Sequence, residues 1–504
     1  MLPVVVADRG GVLSGSALLR RKDYGLRHRS AECVANAVCS VTLAGMGSMV
    51  PQQHAYWFRT SQQVDHYEAY LPHPLTGWTP RIPAETVVRG HEAATRLAAT
   101  SARIASTPEA ALCLARADGI ASSRIEGIIA SLREVSLWDT ARPNSQARRS
   151  GRLVDGASRI AVAAHAVGGD RHEPMRTNDL LALHKTLFED AGTDIDAGRF
   201  RTGPVWVGSS ATNLPSRARF VPAPHAEVPA LVDDLLAWAS SRQCMAAAGP
   251  VGAAAVAHAQ FETIHPFEDG NGRVGRAFMH ACLARHSPYP APLPVSAAID
   301  ARKTAYMDAL ASFDSYLGGP DDDERSQSVT IMIEWAATAV EVACAYAEAV
   351  ADEVDACVRQ AASMRHGTAR RAVMDQLISS PAAAVPDLAA RLGLSPRTTQ
   401  RAARRLEDDG LVRVTRERSP GEPLVAEIPS LIDIVDTRTA LLTALWQQTD
   451  NGQAPDSATA LHDIVPRVEL SQPAPAGTCP HIGVRSRVRC ALSSGHNGPH
   501  RYVR

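Results

Sequence analysis

The sequence predicts a mainly α protein: a large helical core interrupted by a small β flap, then a smaller C-terminal unit of three helices and a strand. Three observations predict this. Between about 83 and 350, apolar residues recur at three-and-four spacing, the pattern of helices with one buried face. One stretch breaks that period. Arg201–Pro224 holds two short β-prone pieces, Val205–Val207 and Arg219–Val221, around a polar Ser/Thr/Asn/Pro centre, and reads as a hairpin or flap. The third observation is a run of short amphipathic segments over 366–430, closed by Gly410 and the strand-like Leu411–Thr415.

Taken in chain order, 504 residues imply about three domains at roughly 100–200 residues each. Residues 1–48 are rich in Arg, Gly, Ser and Ala and lack periodicity. They read as a disordered extension or as a start assigned too early, with Met46 or Met49 as the true start. Residues 49–170 read as an N-terminal helical region, in which Glu92–Ala117 runs to the Asp118-Gly119 break and Ile120–Trp138 continues. The core, 171–352, has helices expected near 177–190, 225–240, 249–263, 271–286 and 325–350. In the next unit Ala369–Ser379, Val385–Leu392 and Ser395–Asp409 are expected helices, and Pro429–Leu470 is expected as one more helix running into a linker, helix and linker together covering 431–478.

Lysine plus arginine number 52 against 53 acids, a net charge of −1, which excludes a uniformly basic nucleic-acid coat and an acidic solvating chain. Apolar residues at 45% argue against wholesale disorder. No run of about 18 uninterrupted apolar residues occurs, so no membrane partner is expected. The nine cysteines are scattered and read as reduced thiols of a cytoplasmic protein.

Chemistry concentrates in His265-Pro266-Phe267-Glu268-Asp269-Gly270-Asn271-Gly272-Arg273-Val274-Gly275-Arg276. An Ala-rich helix leads into a turn, then a glycine-flanked helix start whose free N–H groups favour an anion. Arg273 and Arg276, three apart, share a helix face and can hold phosphate oxygens. Asp269 is a hard oxygen ligand suited to Mg²⁺, and His265 titrates near neutrality, as a general base must. Singly, each residue also fits an ordinary helix–turn–helix corner; together they form a kit for phosphoryl or nucleotidyl transfer. His184 and His258 read as ordinary core or surface histidines, and Trp206 and Trp335 as packing.

This string resembles the signature of the Fic family, His-x-Phe-x-Asp/Glu-Gly-Asn-Gly-Arg-x-x-Arg, and meets it at every fixed position. Ala197-Gly-Arg-Phe-Arg-Thr before the flap is similar to the family as well. The resemblance implies a Fic-type helical core and transfer of AMP from ATP to a Ser, Thr or Tyr hydroxyl of a protein target. It implies His265 as the base, Asp269 as the Mg²⁺ ligand, and Gly270, Asn271 and Gly272 as an anion hole. Arg273 would hold the nucleotide phosphates, Arg276 would meet the γ-phosphate, and Phe267 would anchor the loop. The flap at about 209–219 would pair with the target as a strand. Ser122-Ser123-Arg124-Ile125-Glu126-Gly127 resembles the family's inhibitory motif, which implies that Glu126 pairs with Arg276 and takes the γ-phosphate's place.

Residues 385–415 resemble a winged helix-turn-helix. Ser395 caps its second helix with Pro396 at the first turn, and Arg397, Arg401, Arg404 and Arg405 project where a DNA reader carries cations. Arg365–Arg418 holds eleven arginines against six acids, a local +5. Such modules also bind proteins, and the Glu407-Asp408-Asp409 cluster opposes a phosphate footprint. In the tail, 479–504, Cys479, Cys490, His496 and His500 are a candidate zinc knuckle, with a first gap wider than usual and incidental residues as the alternative. The sequence thus leads to a self-inhibited, ATP- and Mg²⁺-using protein adenylyltransferase, with structural Zn²⁺, DNA and a homo-oligomer as open questions. The alternatives are transfer of UMP, phosphate or phosphocholine, de-AMPylation, or a DNA-binding regulator whose core senses nucleotide.

Overall fold

The computed structural model describes residues 4–6, 47–58, 61–78, 81–139, 145–189, 192–208, 214–287, 289–314, 322–416 and 423–464. The chain begins its described course in strands: β1 (Val4–Val6), then the hairpin of β2 (Gly47–Phe58) and β3 (Ser61–Pro72), paired from Gly47↔Pro72 to Phe58↔Ser61. Helices α1 (Ala84–Ile104), α2 (Pro108–Ile125), α3 (Leu132–Leu137), α4 (Gln146–Gly169) and α5 (Thr177–Phe188) follow, then the flap strand β4 (Val205–Val207). The core continues with α6 (Val228–Ala239), α7 (Arg242–Ile264), α8 (Asn271–His286), α9 (Val295–Ala301), α10 (Lys303–Asp314) and α11 (Asp322–Ala362). The C-terminal unit has α12 (Ala369–Ser379), β5 (Ala382–Ala384), α13 (Val385–Leu392), α14 (Pro396–Asp408), β6 (Arg413–Arg416) and β7 (Leu424–Glu427), with sheet order β5-β7-β6. Last come α15 (Pro429–Asp436), α16 (Arg438–Asp450) and α17 (Ser457–Ile464).

The fold class is as the sequence predicts, mainly α with a winged helix-turn-helix behind a helical core. Three assignments are corrected. The break expected at Asp118-Gly119 is absent: α2 runs through both residues, and the chain turns instead at 105–107 and at Glu126-Gly127. The region from 49 opens in a β hairpin of two twelve-residue strands instead of a helix. Its strands are Gln- and His-rich, and what holds them is the flap: Asp65 accepts from Ser216 N at 2.9 Å and Ser216 Oγ at 2.6 Å, and Tyr70 N donates to Val221 O at 2.8 Å. Ala69, Trp206 and Val221 bury one another at this junction. Within 429–470, the described part to 464 is three helices, because the chain turns at Thr437 and again at Asn451-Gly452, where Gly452 takes φ 72°.

The core is built on α7, whose Val251, Ala253–Ala257, Phe261 and Ile264 are buried. It packs on α8, α1 and α11, while α4 lies against both α8 and α2. Gly249 (φ 68°) and Pro250 kink α7 near its start. Helix α11 is long and apolar enough to cross a membrane, and 72% of its apolar window is buried within the protein. Among the described residues five cysteines, Cys113, Cys244, Cys282, Cys344 and Cys357, are free and buried.

Helix α2 sits so close to α4 that a Cβ on Gly119 would lie 2.6 Å from Ser158 N and 2.1 Å from its Oγ. Gly119→Ala would gain about 1 kcal/mol of helix propensity. Overpacking costs about 1–3 kcal/mol, and here backbone must part. The expected outcome is a net loss of about 1–2 kcal/mol, read as a lower thermal midpoint by calorimetry; an unchanged midpoint would refute the contact.

The winged unit is docked on the segment that follows α2. Leu132 N donates to Asp436 Oδ1 at 2.8 Å, and Arg133 Nε to the buried Glu427 at 2.7 Å. Glu427 also accepts from Arg413 of β6 at 2.6 Å. Leu137, Ala382, Val425 and Ile432 share a small apolar cluster across the junction, and Arg116 of α2 donates to Ser379 O at 2.5 Å.

Candidate active site

Helix α7 ends at His265, which caps it in the left-handed region (φ 52°, ψ 62°) and is the one non-glycine residue with positive φ among the described residues. A branched ring there costs of order 1 kcal/mol, so the surroundings must hold it in place. Arg201 does so. Its buried guanidinium donates to the carbonyls of His265 (2.8 Å), Ile264 (3.3 Å) and Ala223, and its own N–H donates to Pro266 O at 3.0 Å. Burial pulls the Arg201 guanidinium down to about 10, still cationic at neutrality. On the far side of the turn, Asn271 accepts from Phe267 N (2.8 Å) and donates to Phe267 O (2.9 Å), with Phe267 fully buried. The Asn271 side chain therefore braces the loop, and what it leaves for an anion is its main-chain amide.

The imidazole of His265 lies with Nδ1 3.2 Å from Glu262 O. A carbonyl only accepts, so Nδ1 carries the proton and Nε2 keeps its lone pair. Nε2 is buried and has no partner among the described residues. Burial, and then Arg201, lower this histidine to about 4, below the near-neutral range expected from the sequence, so it is neutral at pH 7 with the Nε2 lone pair free.

Gly270 (φ 83°) caps α8, whose first turn presents Asn271, Gly272 and Arg273. Arg273 is buried over the Phe188 ring at 5.2 Å, with Nη2 3.6 Å from Asp269 Oδ1 and with Nε and Nη1 unpartnered. Burying guanidinium nitrogens without acceptors is costly, and phosphate oxygens are what such a fork fits. Asp269 is half exposed, and its Oδ1 accepts from Gly270 N at 2.6 Å. Oδ2 has no recorded partner among the described residues, so this hard oxygen fits a partly hydrated Mg²⁺.

Glu126 comes from α2. Ile128 N donates to Ser123 O (2.9 Å) and Gly127 N to Arg124 O (2.9 Å), a Schellman turn that needs Gly127 at φ 81°. That turn leaves Glu126 at the helix end, facing α8. Its Oε1 accepts from Arg276 Nη2 at 2.8 Å, and a Cβ on Gly272 would lie 2.1 Å from the same oxygen. The carboxylate thus lies on the first turn of α8, where the free amides favour an anion. Ser122 receives the rest of Arg276: Nε to Oγ at 3.0 Å and Nη2 to O at 2.8 Å. Lys303 Nζ donates to Ile125 O beside it. Burial pushes the Glu126 carboxyl up, but Arg276, Arg273 and Lys303 outweigh it and hold it below the ordinary range. Burial alone would lower Arg276; Glu126, Tyr306 and Glu262 raise it instead.

The structure therefore brings His265, Asp269, Gly270, Asn271, Gly272, Arg273, Arg276 and Glu126 into one site. Cys479, Cys490, His496 and His500 lie outside the described residues, as does the flap centre, 209–213; the flanks of the flap meet at a Val207↔Phe220 bridge. Arg201, His184 and Lys303 also build the site. Arg201 stood within the family-like 197–202 stretch, but nothing in the pattern marked the other two.

Residues 174–283 match the model of the Fic/DOC family, and 368–413 match that of a winged helix-turn-helix, described as DNA-binding. Residues 174–283 are a Fic/DOC domain. The chain is similar to "Protein adenylyltransferase fic-1" of Caenorhabditis elegans, 31% identical over 124 residues, which are 25% of this chain and 22% of that protein. It is also similar to "Protein adenylyltransferase Fic" of Aedes aegypti, 31% identical over 121 residues, 24% of this chain and 22% of that one. The chain spans about a fifth of the length of these curated relatives. The crystal structure of a Fic family protein from Desulfovibrio desulfuricans G20 aligns with a TM-score of 0.41 at 24% identity, covering 70% of this chain and 98% of that one.

Proposed function

We propose that this chain is a self-inhibited protein adenylyltransferase, acting in the cytoplasm. The observation that carries the reading is the pairing of a buried, unpartnered His265 Nε2 with a phosphate cradle that Glu126 already fills. ATP would lie with its phosphates on the α8 amides and the free nitrogens of Arg273. Asp269 would hold Mg²⁺, which neutralises phosphate charge when bound. His265 takes the proton of the target hydroxyl, that oxygen bonds to the α-phosphorus, and the α–β phosphoanhydride bond breaks to release pyrophosphate. While Glu126 sits on Arg276, the γ-phosphate lacks its seat. The test is to incubate wild type, Glu126→Gly and His265→Ala with Mg²⁺ and α-labelled ATP and to follow label on protein. Equal labelling by all three would sink the mechanism.

A second reading concerns the winged unit, and a specific observation favours nucleic acid. On α14, Arg397, Arg401 and Arg405 are exposed and have no ion pair among the described residues. The acids that oppose them are largely spent within the fold: Glu407 accepts from Val414 N at 2.9 Å and pairs with Arg404, and Asp409 pairs with Arg370. We expect duplex DNA to bind with an affinity that falls with salt, and each Arg→Ala among these three to flatten the log–log slope by about one. A slope unmoved by all three changes would leave the winged unit a protein-docking module.

A further inference from the structure

The turn from Phe267 to Gly270 carries Asp269, and the recorded main-chain bonds that hold the loop fall on either side of it: Arg201 on His265 and Ile264, Asn271 on Phe267. The main-chain carbonyl of Asp269 hangs from one side chain. His184 of α5, buried at 1% exposure, has Nδ1 2.8 Å from Gly198 N, so Nδ1 accepts and the proton resides on Nε2. That Nε2–H donates to Asp269 O at 3.1 Å, the one partner recorded for this carbonyl among the described residues. The ring stacks on Phe267 at 3.9 Å with planes 5° apart and meets Phe188 edge-on at 5.1 Å. Phe188, one turn along α5, lies under Arg273, and a Cβ on Gly270 would strike Phe188 and Leu187 at 2.8 and 2.9 Å. Residues 184, 187 and 188 are thus one stripe of α5 that forms the floor beneath Asp269, Gly270 and Arg273.

We propose that His184 is a positioning residue for the magnesium–nucleotide site: its Nε2–H fixes the Asp269 carbonyl, and so aims the Asp269 carboxylate and the first amides of α8 at the metal and phosphates. This rests on the nucleotide-binding part of the reading above. An ordinary buried histidine would satisfy its nitrogens on any convenient group. Here one nitrogen is committed to the strand-side segment before Arg201 and the other to the metal-ligand residue, so the imidazole ties two halves of the site together.

The test compares two side chains that differ by one methylene. His184→Gln can place an amide N–H where Nε2 stands; His184→Asn reaches only the Nδ1 position, so it can accept from Gly198 but cannot reach Asp269 O. Both are made in full-length Glu126→Gly. MgATP affinity is read by calorimetry, without turnover, and the Mg²⁺ concentration for half-maximal labelling is read separately. The expected result is Gln within about threefold of its parent and Asn at least about tenfold weaker in both readings, since the loss of one such hydrogen bond is worth about tenfold. Equal behaviour of the two variants, including equal loss of folding in thermal melts, overturns the proposal and leaves His184 a packing residue. If the parent binds MgATP but labels nothing, the adenylyltransferase reading fails while the affinity comparison still decides the role of His184.

Discussion

Glu126→Gly is expected to raise incorporation of α-labelled AMP into protein by about 10- to 100-fold over wild type. The Glu126–Arg276 contact is a charge-assisted hydrogen bond at 2.8 Å, with Arg276 buried and Glu126 partly so. Such bonds are worth about 1.5–3 kcal/mol, and each 1.4 kcal/mol is tenfold in an equilibrium. On the proposed reading the nucleotide would displace that bond to bring its γ-phosphate to Arg276, so removing the carboxylate would return the factor to productive binding. Arg276 is not orphaned by the change, because Ser122 Oγ and Ser122 O still accept from it. Glu126→Gln, which keeps the bulk and loses the charge, should fall between the two. A Glu126→Gly protein that labels no better than wild type would remove Glu126 as the brake.

His265→Ala is expected to cost about 10²–10⁴-fold in labelling, the usual range for a positioned general base. The loss should appear in turnover and spare MgATP affinity, because Nε2 has no partner among the described residues and makes no bond that holds the cradle. Introduced into Glu126→Gly, the same change should leave the double variant as inactive as the single, since releasing the brake cannot supply a base. Calorimetry with MgATP separates the two roles. A variant that no longer binds nucleotide would mean that His265 is needed for the loop itself, and substantial labelling would exclude it as the base.

What could be read ahead of the structure followed the geometry of the chain. The turn and helix start from His265 to Arg276 are contiguous, so ligand types at fixed spacing expose them in sequence. Glu126 lies 150 residues before Arg276 and was legible only through the resemblance of Ser122-Ser123-Arg124-Ile125-Glu126-Gly127 to the family's inhibitory motif. Arg201 and His184 were not legible as site residues, because they act on main-chain carbonyls and any residue can supply those. For the same reason the side chain of Asn271 was not legible as a brace of the loop, where it closes a ring with Phe267 and leaves the main-chain amide for an anion. The 47–72 hairpin escaped notice because its strands are polar and are held by Ser216, Trp206 and Val221, far along the chain.

The anchoring of Leu132 and Arg133 to Asp436 and Glu427 has a consequence for how the halves of this protein can communicate. Glu126 stands only six residues before the first of these anchors. A nucleotide that evicts Glu126 from α8 and an occupant that shifts the winged unit would strain the same short span from opposite ends. Free-energy coupling has no preferred direction. If an occupant of the winged unit loosens Glu126 and tightens nucleotide binding by some factor, nucleotide must tighten that occupant by the same factor, so a nucleotide-dependent change in DNA affinity would report on the brake without any measurement of catalysis.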